Sequence, residues 1–203
     1  MASIPNVSAT APMSAIGVSF PSMRRFSVDE YHRMIESGIL GENDRVELLD
    51  GWIVEMSPIG PPHAWCVSVL VSLLHERLPT GWVVRAQSPI TTLTSEPEPD
   101  IVVAKGSFNE YRERHPSGDD IGVVVEVADA SLSVDRKQKR ELYALAKVAE
   151  YWILNLVNRQ LEVHRRPQNG NYLDVEVLRS GESITFTEPT LASVSFSVAE
   201  ILP

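Results

Sequence analysis

The sequence predicts an α/β domain, in the looser sense α+β, with a mixed central sheet flanked by helices. Three observations predict it. Helical and extended patterns follow one another in the order αββαβββαβββ, which suits helices packed on a sheet rather than a sandwich. Two short, nearly continuous apolar runs, Ile101-Val102-Val103-Ala104 and Ile121-Gly122-Val123-Val124-Val125-Glu126-Val127, have the character of central strands buried on both faces. The chain has 203 residues, of which 43% are hydrophobic, enough for one compact core with no reason to count two.

Ser27-Val28-Asp29-Glu30 is a capping box that opens a helix, with Tyr31, Met34 and Ile35 on its apolar face and Gly38 closing it. Arg45 to Met56 reads as two strands about the turn Asp50-Gly51. Ser57-Pro58-Ile59-Gly60-Pro61-Pro62 is a loop by composition. His63 to Leu78 carries helical spacing at Cys66, Val67, Leu70, Leu73 and Leu74. Trp82-Val83-Val84 starts a strand, and Thr91 to Pro99 is polar and punctuated by proline. Between the two apolar runs, Phe108 to Asp120 is a loop or a short exposed helix.

A further helix is expected from Ser133 to Lys147, with Leu142, Leu145 and Ala149 as its apolar stripe. Tyr151 to Leu156 is the strand behind it, and Tyr151 and Trp152 fill the core. Asn158-Arg159 turns into Leu161 to His164, and the tail reads as short strands over Tyr172 to Leu178, Ser183 to Phe186 and Ser193 to Phe196. There is no internal repeat.

Composition narrows the function classes. The single cysteine, Cys66, excludes an internal disulfide and a cysteine-based zinc site, and fits a reducing, cytoplasmic setting. No stretch approaches the roughly 20 apolar residues of a membrane helix. Met1 to Phe20 lacks the basic start of a signal peptide, so residues 1–25 read as a flexible N-terminal segment and 26–203 as the domain. The net charge of −9, from 18 basic and 27 acidic residues, counts against broad, non-specific DNA binding. A cluster of metal-binding carboxylates is itself acidic, so a nuclease remains open.

The chemistry concentrates in a few residues. Asp100 stands immediately before one buried strand and Glu126 lies inside the next. A carboxylate in such a run is costly to bury unless it is paired or holds a metal. If the strands pair, both can converge on a hard cation such as Mg²⁺, which keeps several waters and needs few protein anchors. Taken singly, Asp100 also fits a turn cap and Glu126 a strand-end surface residue. Asp135, Lys139 and Tyr143 recur at i, i+4 and i+8 and so share one helix side, from which Lys139 can reach the carboxylates. An exposed Asp135–Lys139 ion pair fits the same spacing. Glu47, ahead of the Asp50-Gly51 turn, and His63, at a helix start, are candidates to complete the site.

Six stretches together resemble the Uma2-like family of restriction endonucleases, a branch of the PD-(D/E)XK nuclease superfamily. They are Glu47-Leu48-Leu49-Asp50-Gly51; Met56-Ser57-Pro58 with His63; Pro99-Asp100-Ile101-Val102-Val103; Val124-Val125-Glu126-Val127 with Ala128 to Ser131; Asp135 with Lys139 and Tyr143; and Glu150-Tyr151-Trp152-Ile153. The resemblance runs from Phe26 to Leu202 and implies a restriction-endonuclease-like core, Mg²⁺ or Mn²⁺, and hydrolysis of nucleic-acid phosphodiesters, with DNA the expected partner. It also implies that Asp100 and Glu126 are metal ligands, that Glu47 is a further ligand or water-positioning group, and that His63, Asp135 and Tyr143 are accessory. The superfamily's usual pattern puts a lysine two residues after the glutamate. Here that position is Ala128, and Lys139 is the replacement the resemblance implies. Cutting two strands favours a symmetric homodimer. The rival readings are a non-catalytic nucleic-acid- or protein-binding member of the same fold, a structural protein that dimerises through its strand-rich C-terminal third, and a hydrolase of another phosphodiester.

Overall fold

The structure is a computed structural model that describes residues 23–203. The flexible start expected over residues 1–25 lies outside the described residues up to residue 22.

The first helix, α1 (Val28–Glu36), forms where its capping box requires. Ser27 Oγ accepts from the Glu30 N–H at 3.2 Å, and the Glu30 carboxylate accepts from the Ser27 N–H at 3.0 Å. Tyr31 is buried and donates to the Val46 carbonyl, whereas Ile35, expected on the apolar face, is exposed in the last turn. Strands β1 (Val46–Leu49) and β2 (Trp52–Glu55) pair antiparallel about Asp50-Gly51. Both turn residues have positive φ, 47° and 79°, the requirement of a type I′ hairpin. Helix α2 (Pro61–Arg77) starts two residues earlier than composition suggested. Proline's fixed φ and missing N–H suit a first helical turn, so Pro61 and Pro62 belong to the helix and not to the loop.

The central sheet holds β3 (Trp82–Ala86), β4 (Ile101–Lys105), β5 (Ile121–Ala128), β6 (Glu150–Asn155), β7 (Gln160–Gln168) and β8 (Asn171–Leu178), in that spatial order. Only β5 and β6 run parallel; the other neighbours are antiparallel. A parallel pair needs a crossover, and here it is helical. It comprises α3 (Leu132–Val134), a π-turn (Asp135–Lys139) and α4 (Arg140–Leu145).

That π-turn corrects the expectation of one uninterrupted helix. A wider turn sets every later residue back from its α-helical angle. The stripe drawn at constant spacing therefore fails: Leu145 is 64% exposed and Ala149 is exposed. Asp135, Lys139, Tyr143 and Ala144 are buried instead. At the chain's end, β9 (Ser183–Thr185) and β10 (Ser195–Ser197) pair, and α5 (Val198–Ile201) follows. The sequence reading missed α5, although its capping box, Ser197 with Glu200, was legible.

Two apolar layers sandwich the sheet. Val123, Val125 and Val127 of β5 and Trp152 of β6 pack with Cys66, Leu70 and Leu74 of α2 and with Phe186, Phe196 and Ile201. Val102, Val124, Ala128, Tyr151 and Ile153 pack on the opposite face with Tyr143 and Ala144 of α4. Alternation along β5 puts Glu126 on the face of Val124 and Ala128, and Asp100 likewise shares the side of Val102. Both carboxylates thus face the crossover.

His164 of β7 lies in the same layer, stacked 5.6 Å from Tyr151, with both ring nitrogens buried and unpartnered. Burial, with help from the Arg140 charge, pushes its imidazole down to about 4 from an ordinary 6.5. The unfolded chain therefore binds a proton that the folded chain refuses. The stability from a neutral His164 is complete above about pH 6.5 and is lost as pH falls towards 4. Melting temperatures measured between pH 7 and pH 4 should fall less in His164→Phe than in the wild type. Equal slopes would show that His164 is not kept neutral by burial.

Candidate active site

Six of the residues singled out in the sequence line one cleft of about 100 Å³: Glu47, His63, Asp100, Glu126, Asp135 and Lys139. The seventh, Tyr143, stands behind it against Glu126. They are delivered by five elements of the fold and the segment before β4, with Asp135 and Lys139 from one turn. Glu47 comes from β1, and its Oε2 accepts from the Glu98 N–H at 3.1 Å. Asp100 precedes β4, and its Oδ2 accepts from the Val127 N–H of β5 at 2.8 Å. The same oxygen lies 3.0 Å from His63 Nε2 in the first turn of α2. Glu126 Oε1 accepts from Tyr143 Oη at 2.6 Å and from Lys139 Nζ at 3.0 Å.

Lys139 closes the π-turn and points inward, 7% exposed. Its ammonium bridges two strands that are not hydrogen-bonded neighbours, lying 3.2 Å from Glu47 Oε2 as well as 3.0 Å from Glu126 Oε1. Asp135, at the start of the same turn, accepts from Ser131 Oγ at 2.6 Å, and its backbone carbonyl takes the Tyr151 hydroxyl at 3.2 Å. The exposed Asp135–Lys139 pair and the surface Glu126 that the spacing also allowed are therefore not what forms. All three side chains are buried.

Negative charge dominates the cleft. Glu47, Glu55, Glu98, Asp100, Glu126 and Asp135 line it, against the cations Lys139 and Arg45. Burial pushes the Glu126 carboxyl well above the ordinary range, and the Lys139 charge only partly offsets this. Burial likewise raises Asp135 to about 6 and, with the neighbouring Glu47, raises Glu98. For Lys139, burial works against the charged form, but Glu126, Glu47 and Asp135 outweigh it and hold the ammonium protonated. Among the described residues no three His, Cys, Asp or Glu side chains already stand as a metal cage. The space between Glu47 and Glu126 is filled by Lys139.

Sequence reasoning found the carboxylates and the lysine but passed over Glu98 and Ser131. Glu98 was legible in Pro97-Glu98-Pro99-Asp100, where an acid sits between two prolines that fix its backbone beside Asp100. Nothing in the local pattern marked Ser131 as a partner for Asp135.

The ammonium's structural share can be measured directly. Lys139→Met leaves Glu47 and Glu126 facing each other without a cation. It should destabilise the fold by about 3 kcal/mol in denaturant titration at neutral pH, and by less in acid, where the carboxyls protonate. A loss below about 1 kcal/mol would mean that the three groups are solvated rather than paired.

Among solved structures, the fold matches "a putative nuclease belonging to DUF820 from Anabaena variabilis ATCC 29413", with a TM-score of 0.69 and 18% identity. The match covers 87% of this chain and 97% of that one. At that identity the likeness establishes a shared fold. A comparison with curated proteins found no match. A family model described as "Uma2: Putative restriction endonuclease" matches residues 28–199, a span that holds every cleft residue named above. The chain belongs to the Uma2 family.

Proposed function

We propose that this chain is a metal-dependent endonuclease that hydrolyses phosphodiester bonds of DNA, with residues 26–203 as the nuclease domain after an N-terminal segment, residues 1–25. The observation that carries the reading is the buried constellation of Glu47, Asp100, Glu126 and Lys139 at one cleft. The family's description supports nucleic-acid cleavage and, through the word restriction, DNA in particular.

Mg²⁺ or Mn²⁺ fits the residues present. The donors are hard carboxylate oxygens, the cleft carries more negative than positive charge, and Glu126 is buried where a neighbouring dication would offset its desolvation. Asp100 and Glu126 would hold the ion, with Glu47 as a further or water-mediated ligand. Bound there, the ion would supply an acidified water and charge stabilisation for the phosphate.

The chain's own residues do the rest. The Val127 N–H and His63 fix the Asp100 carboxylate, so its free oxygen is presented to the cleft in one orientation. Tyr143 fixes Glu126 in the same way. Lys139 keeps its proton at Nζ and lies at the cleft floor, where an ammonium offsets charge that develops on a phosphate. With Ala128 two residues after Glu126, β5 provides no lysine at that position. The π-turn supplies it from the crossover instead.

Two further parts of the reading concern setting and assembly. Among the described residues no helix is long and apolar enough to cross a membrane. The proposed setting is the cytoplasm, where DNA and Mg²⁺ are both available, and the proposed working unit for two-strand cleavage is a homodimer.

Nicking of supercoiled plasmid with Mn²⁺ or Mg²⁺ tests the reading. Glu126→Gln and Asp100→Asn should each reduce cleavage at least about 100-fold while melting stays cooperative. Retained activity in both would remove these residues from the chemistry. His63→Ala should reduce cleavage by about tenfold, mainly through weaker activation at low Mn²⁺, because His63 orients Asp100 without replacing it. A loss that excess Mn²⁺ does not recover would give His63 a direct role instead.

A further inference from the structure

Positive charge collects beside the segment that delivers Asp100, outside the cleft and with no part in the chemistry above. Two guanidiniums meet the ring of Tyr111: Arg85 of β3, 5.6 Å from its centroid, and Arg114, 5.0 Å from it. Arg112 follows Tyr111 in the chain, so three arginines gather there. Between them they hold one carboxylate, Asp120, which Arg114 engages at 2.6 and 3.1 Å. Among the described residues neither Arg85 nor Arg112 forms an ion pair.

Arg85 is the more telling of the two. Its Nε is buried without a hydrogen-bond partner, and burial lowers its guanidinium with no carboxylate near enough to offset this. A part-buried charge left unpaired costs stability unless a counterion reaches it. In a chain of net charge −9, such a local excess of cations runs against the overall balance.

Arg112, Arg114, His32 and His115 border an open cavity of about 540 Å³. Glu113 is the one acid in its lining, and it is exposed. The nearby Glu96 is taken up by His32 Nε2 at 2.7 Å and by the Thr91 hydroxyl at 2.9 Å. The Nδ1 of His115 is buried without a partner, and its Nε2 lies 3.8 Å from Glu96, beyond hydrogen-bond reach. That imidazole therefore keeps an N–H unused at the cavity wall.

Guanidinium and imidazole donors without acceptors call for an oxyanion, and the forked N–H pairs of arginine match the oxygens of a phosphate. We propose that this cavity is a phosphate subsite, in which Arg112 and Arg114 take the oxygens of a backbone phosphate of the nucleic acid. The Arg85 charge beside Tyr111 adds to the attraction. The nuclease reading supplies the source of that phosphate, while the cluster of donors stands without it.

The position suits such a contact. Thr91 also lines the cavity, and its N–H donates to the Pro116 carbonyl at 2.9 Å, which ties the arginine loop to the segment before β4. Glu96, held by Thr91, stands four residues before Asp100. An extended chain covers that interval in at most about 14 Å. B-DNA rises about 3.4 Å per base pair, so the subsite lies within about four base steps of the cleft. Contacts of this kind fix the register of a duplex without reading its sequence.

The test uses full-length chain in a Glu126→Gln background, so that binding is read without cleavage. The two probes are a labelled DNA duplex and inorganic phosphate. Arg112→Gln should weaken duplex binding about tenfold and lower the slope of log affinity against log salt by about one. Arg112→Lys should recover part of the affinity, because it keeps the charge and loses the fork. Arg112 has no ion pair to lose, so Arg112→Gln should melt like its parent without ligand. Arg179 is exposed in the turn after β8, and Arg179→Gln, the same change in net charge, should leave duplex binding within about twofold. Inorganic phosphate should raise the melting temperature of the parent more than that of Arg112→Gln. The proposal is overturned if neither probe depends on Arg112, or if Arg179→Gln matches the duplex loss and no phosphate effect depends on Arg112. Phosphate binding that needs Arg112, with no binding of DNA, would keep the subsite for a free anion and count only against the nucleic-acid reading.

Discussion

The rest of the structure is organised around one buried ammonium. Lys139 Nζ sits between Glu126 and Glu47, and neither carboxylate has another basic side chain as close. Burying such a group is tolerable only if the geometry holds on every side at once. The crossover must turn position 139 inward, β5 must present Glu126 to the crossover side, and the β1–β2 hairpin must lie across the same cleft. The fold meets all three demands. The parallel β5–β6 pair compels a crossover, the crossover packs over the alternating face that carries Glu126, and the π-turn rotates Lys139 into place.

A second constraint is the surplus of carboxylates. Six acids face one lysine and one arginine, so the cleft without a further cation holds protons that acids in water would shed. That imbalance lowers stability and would be hard to retain for packing alone. On the reading proposed above a divalent ion would offset it, which would reconcile the acidic net charge of the chain with a nucleic-acid substrate.

Much of this was legible in the sequence, for identifiable reasons. The Asp50-Gly51 hairpin, the Ser27 capping box and the two central strands were readable because each rests on local chemistry: positive φ, a side-chain cap, or burial on both faces. Glu126 stood out as a lone charge in an apolar run, and Lys139 through its spacing from Asp135 and Tyr143. What stayed hidden was non-local. The π-turn has no sequence signature of its own, so the stripe through Leu145 was drawn on the wrong face. The proximity of Glu96 to His32 and His115, 64 and 19 positions away in the chain, depends on tertiary packing that no periodicity encodes.

The most direct measurement is the position of manganese in a crystal of the wild-type chain, read from its anomalous scattering. A peak bonded to the Asp100 and Glu126 carboxylates, with Lys139 displaced from Glu126 or still beside it, is the expected result. Clear density for the side chains with no manganese at that cleft, at concentrations that support binding in solution, would contradict it.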